Sequence, residues 1–225
     1  MNTKRITLFA GHYGSGKTNL AVNYALMLKK DFEKISIADL DIVNPYFRTK
    51  DSEEFLESQG IHLISSEYAN SNVDVPALPA EAYSIIDDLS VRAVIDVGGD
   101  DRGALALGRY SPSIVSQNDY EMLFVINKFR PLTPDAASTV AVMREIETAA
   151  SMKFTGIVNN SNLGDETTAE DIISSVSYAK EVSEMSGLPL KMTGVKEDLY
   201  DSVKDKIDNC FPIKLYVKQS WTRSI

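Results

Sequence analysis

The chain has 225 residues, 44% of them hydrophobic, with a formal net charge of −9 at pH 7, and this length suits one large α/β domain over 1–225. The acidic balance, with a sequence pI of about 4.8, argues against a nucleic-acid partner, because neutralising phosphates takes clustered Lys and Arg. A single cysteine, Cys210, excludes an internal disulfide and a C-x-x-C metal site, and the lack of a signal pattern or an apolar run near 18 residues points to a cytoplasmic protein without a membrane partner.

The first apolar run, ITLFA (6–10), feeds GHYGSGKT (11–18), which satisfies G-x-x-x-x-G-K-[ST] at every fixed position. Behind it, Leu20, Tyr24, Met27 and Leu28 predict a helix over 17–30, with Ser15 as its cap. A strand, a glycine-rich turn and a helix start in this order point backbone N–H groups into one concavity, where the helix dipole adds positive charge. Gly14 and Gly16 allow backbone angles that a side chain forbids. Lys17 is expected to reach the β- and γ-phosphates of a nucleoside triphosphate, and Thr18 to offer its hydroxyl to Mg²⁺. The expected nucleotide contacts are Gly11, His12, Gly14, Ser15, Gly16, Lys17, Thr18 and Asn19.

Next come KISIAD (34–39), with Asp39 and Asp41 at its C-terminal end, and IHLIS (61–65). Two aspartates two apart on an extended chain point the same way, and either could hold an attacking water or a Mg²⁺-bound water. Tyr46 and Phe47 read as packing residues beside Arg48, and 65–79 reads as a surface loop. A helix is expected over 79–89 from Pro79, then RAVIDV (92–97). Asp96, ending an apolar strand before Gly98 and Gly99, fits a Walker B carboxylate that holds Mg²⁺ through water. Arg102 and Arg109 follow as weaker arginine-finger candidates, and His12 and His62, the only histidines, form no metal cluster.

The remaining elements are MLFVIN (122–127), a helix over 134–150 opening at Thr133–Pro134, FTGIVN (154–159), a helix over 168–186 opening at Thr167, and LKMTGV (190–195). Near-continuous apolar strands are covered on both faces. Alternating with helices, they give a doubly wound, mostly parallel β-sheet flanked by helices, a three-layer α/β sandwich.

On these residues the chain resembles the MinD/ParA branch of P-loop ATPases, which includes the nitrogenase iron protein and metal-insertion ATPases. The likeness covers roughly residues 4 to 195. It implies a Mg²⁺-dependent ATPase that cycles between ATP and ADP as a nucleotide-switched regulator or assembly factor, acting on a client protein and forming a homodimer in the ATP state. By this resemblance Asp41 positions the hydrolytic water, with Asp39 next in line; Asp96 and Thr18 serve the metal; and Asn160 in GIVNNS, ahead of Asn159, hydrogen-bonds the adenine. Two departures stand out. His12 occupies the place of the family's signature lysine, which implies slow turnover, and Tyr13 replaces the first glycine of a pair. The ending FPIKLYVKQSWTRSI alternates like a strand, unlike a basic membrane helix. Two other readings fit the same motifs: a phosphotransferase or ligase acting on a small acceptor, and a non-hydrolysing nucleotide-binding module.

Overall fold

The computed structural model describes residues 3–40, 53–65, 81–99 and 101–216. The expected loop over 65–79 lies outside them except for Ser65, and so do Asp41 and the Tyr46–Phe47–Arg48 segment. Among the described residues the strands are β1 (Ile6–Ala10), β2 (Ile35–Leu40), β3 (Ile61–Ser65), β4 (Arg92–Val97), β5 (Tyr120–Ile126), β6 (Gly156–Asn159), β7 (Leu190–Lys196) and β8 (Cys210–Ile213). They form one sheet in the order β3-β2-β4-β1-β5-β6-β7-β8, with all neighbouring pairs parallel. The helices are α1 (Lys17–Lys29), α2 (Glu53–Ser58), α3 (Glu81–Asp87), α4 (Asp101–Gly108), α5 (Ser111–Gln117), α6 (Ala136–Ala150), α7 (Ala169–Ser186) and α8 (Tyr200–Val203).

Successive strand residues face opposite sides, so each strand feeds two cores. Ile6, Leu8 and Ala10 of β1, with Ala93, Ile95 and Val97 of β4, pack under residues of α3 to α7. Phe9, Val94, Ile35, Ile37 and Val125 pack under Leu20, Tyr24 and Leu28 of α1. This two-sided burial is why the strands read as apolar runs rather than as alternating ones. β8 opens the ending whose alternation reads as a strand: it is four residues long, carries Pro212 and, among the described residues, pairs only with β7. An edge strand tolerates a proline because one side of its backbone needs no ladder partner.

Three helix starts differ from expectation. α1 is capped by Gly16 in a left-handed conformation, with no side-chain cap, so Ser15 is not its cap. α6 starts two residues later than Thr133, because Asp135 accepts from Ser138 N. α7 starts at Thr168, whose hydroxyl and the Asp171 carboxylate form a reciprocal capping box, so Thr167 lies outside it. In both cases the side chain that can bond the third following amide fixes the start.

Two buried charges tie the ends of the sheet to its helices. Arg5, before β1, donates from Nη1 to Ile85 O (2.8 Å) and from Nη2 to Ile86 O (3.0 Å), covering the carbonyls that end α3. Glu147 of α6 accepts from Arg144 (2.8 Å), Lys153 (2.9 Å) and Phe154 N (3.0 Å). Burial alone pushes the Glu147 carboxyl up, but those hydrogen bonds outweigh it and hold it below the ordinary carboxylate value. A depressed folded-state pKa gives stability that is present above the unfolded value and is lost as pH falls through the folded one. Thermal melts of the native chain should therefore fall more steeply below pH 4.5 than those of Glu147→Gln, which is expected to start about 1–2 kcal/mol lower at pH 7. Melting curves that stay parallel from pH 7 to pH 3 would remove Glu147 from the acid response.

Candidate functional site

β1 lies centrally, between β4 and β5, and the chain runs to opposite sides of it. In open parallel sheets the crevice beyond the strand C-termini at such a point receives ligands. The loop 11–16 leaves β1 there and closes on α1. Its three glycines all have positive φ: 155° at Gly11, 75° at Gly14 and 84° at Gly16. Space is as restrictive as torsion. A Cβ on Gly11 would overlap Val125 O of β5, and one on Gly16 would overlap the Asn160 amide. Inside the turn Ser15 N donates to His12 O (3.2 Å), and Ser15 Oγ is buried with no hydrogen-bond partner.

The charged groups gather at this loop. Lys17 is 7% exposed, and its Nζ donates to His12 O (3.2 Å). A Cβ on Gly99, past the end of β4, would stand 2.7 Å from Tyr13 N and 2.9 Å from Lys17 Nζ. The segment after β4 thus rests directly on the loop and its lysine. Thr18 Oγ1 donates to Asp96 Oδ2 at 2.6 Å, joining the first turn of α1 to β4. Asp39 and Asp96 are register partners on β2 and β4, buried to 5% and 1% exposure. Strand parity sets both on the α1 side, with Ile37 and Val94. A hydroxyl and two carboxylates, all oxygen donors, suit a hard cation such as Mg²⁺, and the orphaned Ser15 hydroxyl suits a phosphate oxygen. Among the described residues no three His, Cys, Asp or Glu side chains converge on a metal position. Mg²⁺ bound here would therefore share its coordination with water and phosphate.

The other expected contacts have specific partners. His12 is half-buried, its Nδ1 within 3.0 Å of Tyr13 O. Asn19 Oδ1 accepts from Tyr216 N (3.0 Å), and Asn23 pairs with both backbone groups of Lys214, so the chain beyond β8 is laced along α1. Asn160 is buried, and its Nδ2 donates to Ser15 O at 2.7 Å, holding the loop from below. Asn159 is fully buried, with Nδ2 on Ser175 and Oδ1 accepting from Ser161. Arg102 lies in α4, Arg109 just beyond it, and His62 is exposed on β3.

Sequence reasoning missed the segment after β5. Asn127 Oδ1 accepts from Phe129 N (3.0 Å) and Asn162 N (3.2 Å), which binds the β5 and β6 exits together. Arg130 Nε donates to Gly14 O at 2.8 Å. The only available signal was a polar turn after an apolar strand. Nothing in its spacing points 116 positions back to Gly14.

No family model matches the chain, and no curated protein matches it. Solved structures do. The chain is similar to FtsY from Mycoplasma mycoides at 20% identity and TM-score 0.57, covering 86% of this chain and 60% of that one. The cell division protein FtsY from Thermotoga maritima gives 20% identity, TM-score 0.58, and coverage of 84% and 61%. The signal recognition particle 54 kDa protein from Aeropyrum pernix, solved in complex with GDP, gives 19%, 0.54, and coverage of 85% and 41%. This chain thus spans between 41% and 61% of these proteins' lengths. The likeness is one of fold: this chain's eight-stranded parallel sheet flanked by helices matches the P-loop α/β architecture.

Proposed function

We propose that the chain is a Mg²⁺-dependent ATP-binding protein and slow ATPase of the MinD/ParA-like kind, acting as a nucleotide-switched regulatory or assembly factor. One observation carries this reading. At the start of α1, Lys17 bonds His12 O of the loop and lies against Gly99 after β4, while the adjoining Thr18 bonds Asp96 near the end of β4. The loop amides would bind the phosphates, and Lys17 would exchange its bond to His12 O for a charge-assisted one to phosphate. Thr18 and Asp96 would hold Mg²⁺, with Asp39 beside them, and the bound ion supplies positive charge to the phosphate oxygens. Asp41 is the group proposed to orient the attacking water, with Asp39 as the alternative.

The switch follows from position. Gly99 lies against Tyr13 and Lys17, and α4 begins two residues later. A γ-phosphate that displaces Gly99 would move α4, and this gives a client protein something to read. His12, half-buried on the same loop, is the residue we propose to meet a second copy in an ATP-state homodimer.

The base is the finer question. Asn160 stands next to the loop, and its remaining amide acceptor supports the adenine reading. A guanine nucleotide is the second reading, supported by the GDP bound in the 54 kDa protein's structure. Competition between ATP and GTP for the same site decides, and equal affinity would end the adenine assignment. Phosphate release, with and without small acceptors, separates an ATPase from a transferase or a silent binding module. Asp96→Asn keeps an acceptor for Thr18 but removes a charge, so the Mg²⁺ enhancement of nucleotide affinity should shrink about tenfold. An unchanged Mg²⁺ response, measured by titration with and without EDTA, would take Asp96 out of the metal's surroundings.

A further inference from the structure

Arg130 is a cation close to the phosphate loop that none of the expected roles uses. It comes from the turn after β5, and that turn is tightly built. Arg130 N donates to Asn127 O (3.2 Å), Thr133 N to Arg130 O (3.1 Å), and Thr133 Oγ1 to Asn127 O (3.2 Å). Asn127 in turn is tied to Asn162 beyond β6, so the turn has little freedom to carry its arginine elsewhere. The half-buried guanidinium donates from Nε to Gly14 O at 2.8 Å. Its Cζ, Nε and Nη1 would stand 2.9, 3.1 and 3.3 Å from a Cβ on Gly14. The group therefore covers the face of Gly14 where a side chain would be, and Gly14 is the residue at φ 75° in the middle of the turn. Among the described residues, Nε to Gly14 O is the one hydrogen bond of the Arg130 side chain.

We infer that Arg130 is a same-chain second cation of the phosphate site, which holds Gly14 in its left-handed conformation and adds its charge to that of Lys17 on a bound nucleotide's phosphates. The inference rests on the nucleotide reading above and names a residue that reading does not include. Two physical arguments support it. A single Nε–H···O bond to a neutral carbonyl uses one of five guanidinium donors and does not neutralise the charge. The loop also sits in a chain of net charge −9, beside the buried carboxylates of Asp39 and Asp96, so Lys17 and one Mg²⁺ together leave a bound triphosphate incompletely compensated. The role divides into positioning, through Gly14 O, and charge, through the guanidinium.

Three substitutions separate the two parts. Arg130→Gln keeps an N–H donor for Gly14 O and removes the charge, Arg130→Lys keeps the charge without the planar fork, and Arg130→Ala removes both. Mg·ATP affinity is measured by titration at low and high salt, alongside the melting temperature of each ligand-free protein. We expect Arg130→Lys to bind within about threefold of native, and Arg130→Gln and Arg130→Ala to bind about tenfold more weakly. The gap between native and Arg130→Gln should narrow as salt rises, with ligand-free melting temperatures nearly unchanged. Native-like affinity in Arg130→Gln, with Lys17→Ala impaired, overturns the charge role and leaves the nucleotide reading standing. Equal losses in Arg130→Lys and Arg130→Gln, at every salt concentration, reduce Arg130 to a structural contact and also overturn it. Normal binding by Lys17→Ala overturns the nucleotide reading itself.

Discussion

Gly11→Ala is expected to destabilise the chain by about 2–6 kcal/mol and to abolish nucleotide binding. At φ 155° the backbone of Gly11 is in a region that L side chains rarely adopt, which costs roughly 1–3 kcal/mol. The added methyl would also overlap Val125 O, a main-chain atom in the central strand β5, and such overpacking costs a further 1–3 kcal/mol or so. Neither partner can yield cheaply. β5 is paired to β1 through Ala10↔Phe124, the residue pair just before this contact. Relief must come from the loop, which then loses the aim of its amides. For a domain of this size the melting temperature should fall by roughly 10 °C. A Gly11→Ala protein that melts with the native one and still binds nucleotide would show that the loop is not held as described.

Lys17→Ala is expected to leave the fold intact and to weaken ATP binding by about 10- to 150-fold, the equivalent of roughly 1.5–3 kcal/mol for one charged hydrogen bond in a desolvated site. The ammonium is buried between His12 O and Gly99, so its charge acts with little screening from solvent. Truncation removes one donor from a carbonyl that Ser15 N still bonds, and this is why stability should change little. A loss of affinity that tracks an equal loss of melting temperature would assign Lys17 to structure instead of phosphate.

The parts of this arrangement legible in the sequence are those that local pattern carries. GHYGSGKT between an apolar strand and a periodic helix locates the turn, and an apolar strand ending in Asp96 before two glycines locates its partner. Parity along β2 and β4 explains why Asp39 and Asp96 meet on the α1 side. What pattern does not carry is contact between distant segments. Asn160 was expected at the end of β6 and is found there, but its bond to Ser15 O spans 145 positions. The reach of Arg130 to Gly14 is of the same kind. The short helices α4 and α5 escaped notice because fewer than nine residues give too little helical periodicity to register. The helix starts were shifted by one or two residues where neighbouring Thr and Asp all could cap, and only geometry chooses among them.

The central claim is that the loop 11–18 binds a nucleoside triphosphate with Mg²⁺. Calorimetric titration of the native chain with a Mg²⁺ complex of a non-hydrolysable ATP analogue tests it most directly. The expected result is saturable binding of one nucleotide per chain, displaced by ATP and weakened when EDTA removes the metal. No binding at millimolar analogue, or binding of equal strength in Lys17→Ala, would contradict it.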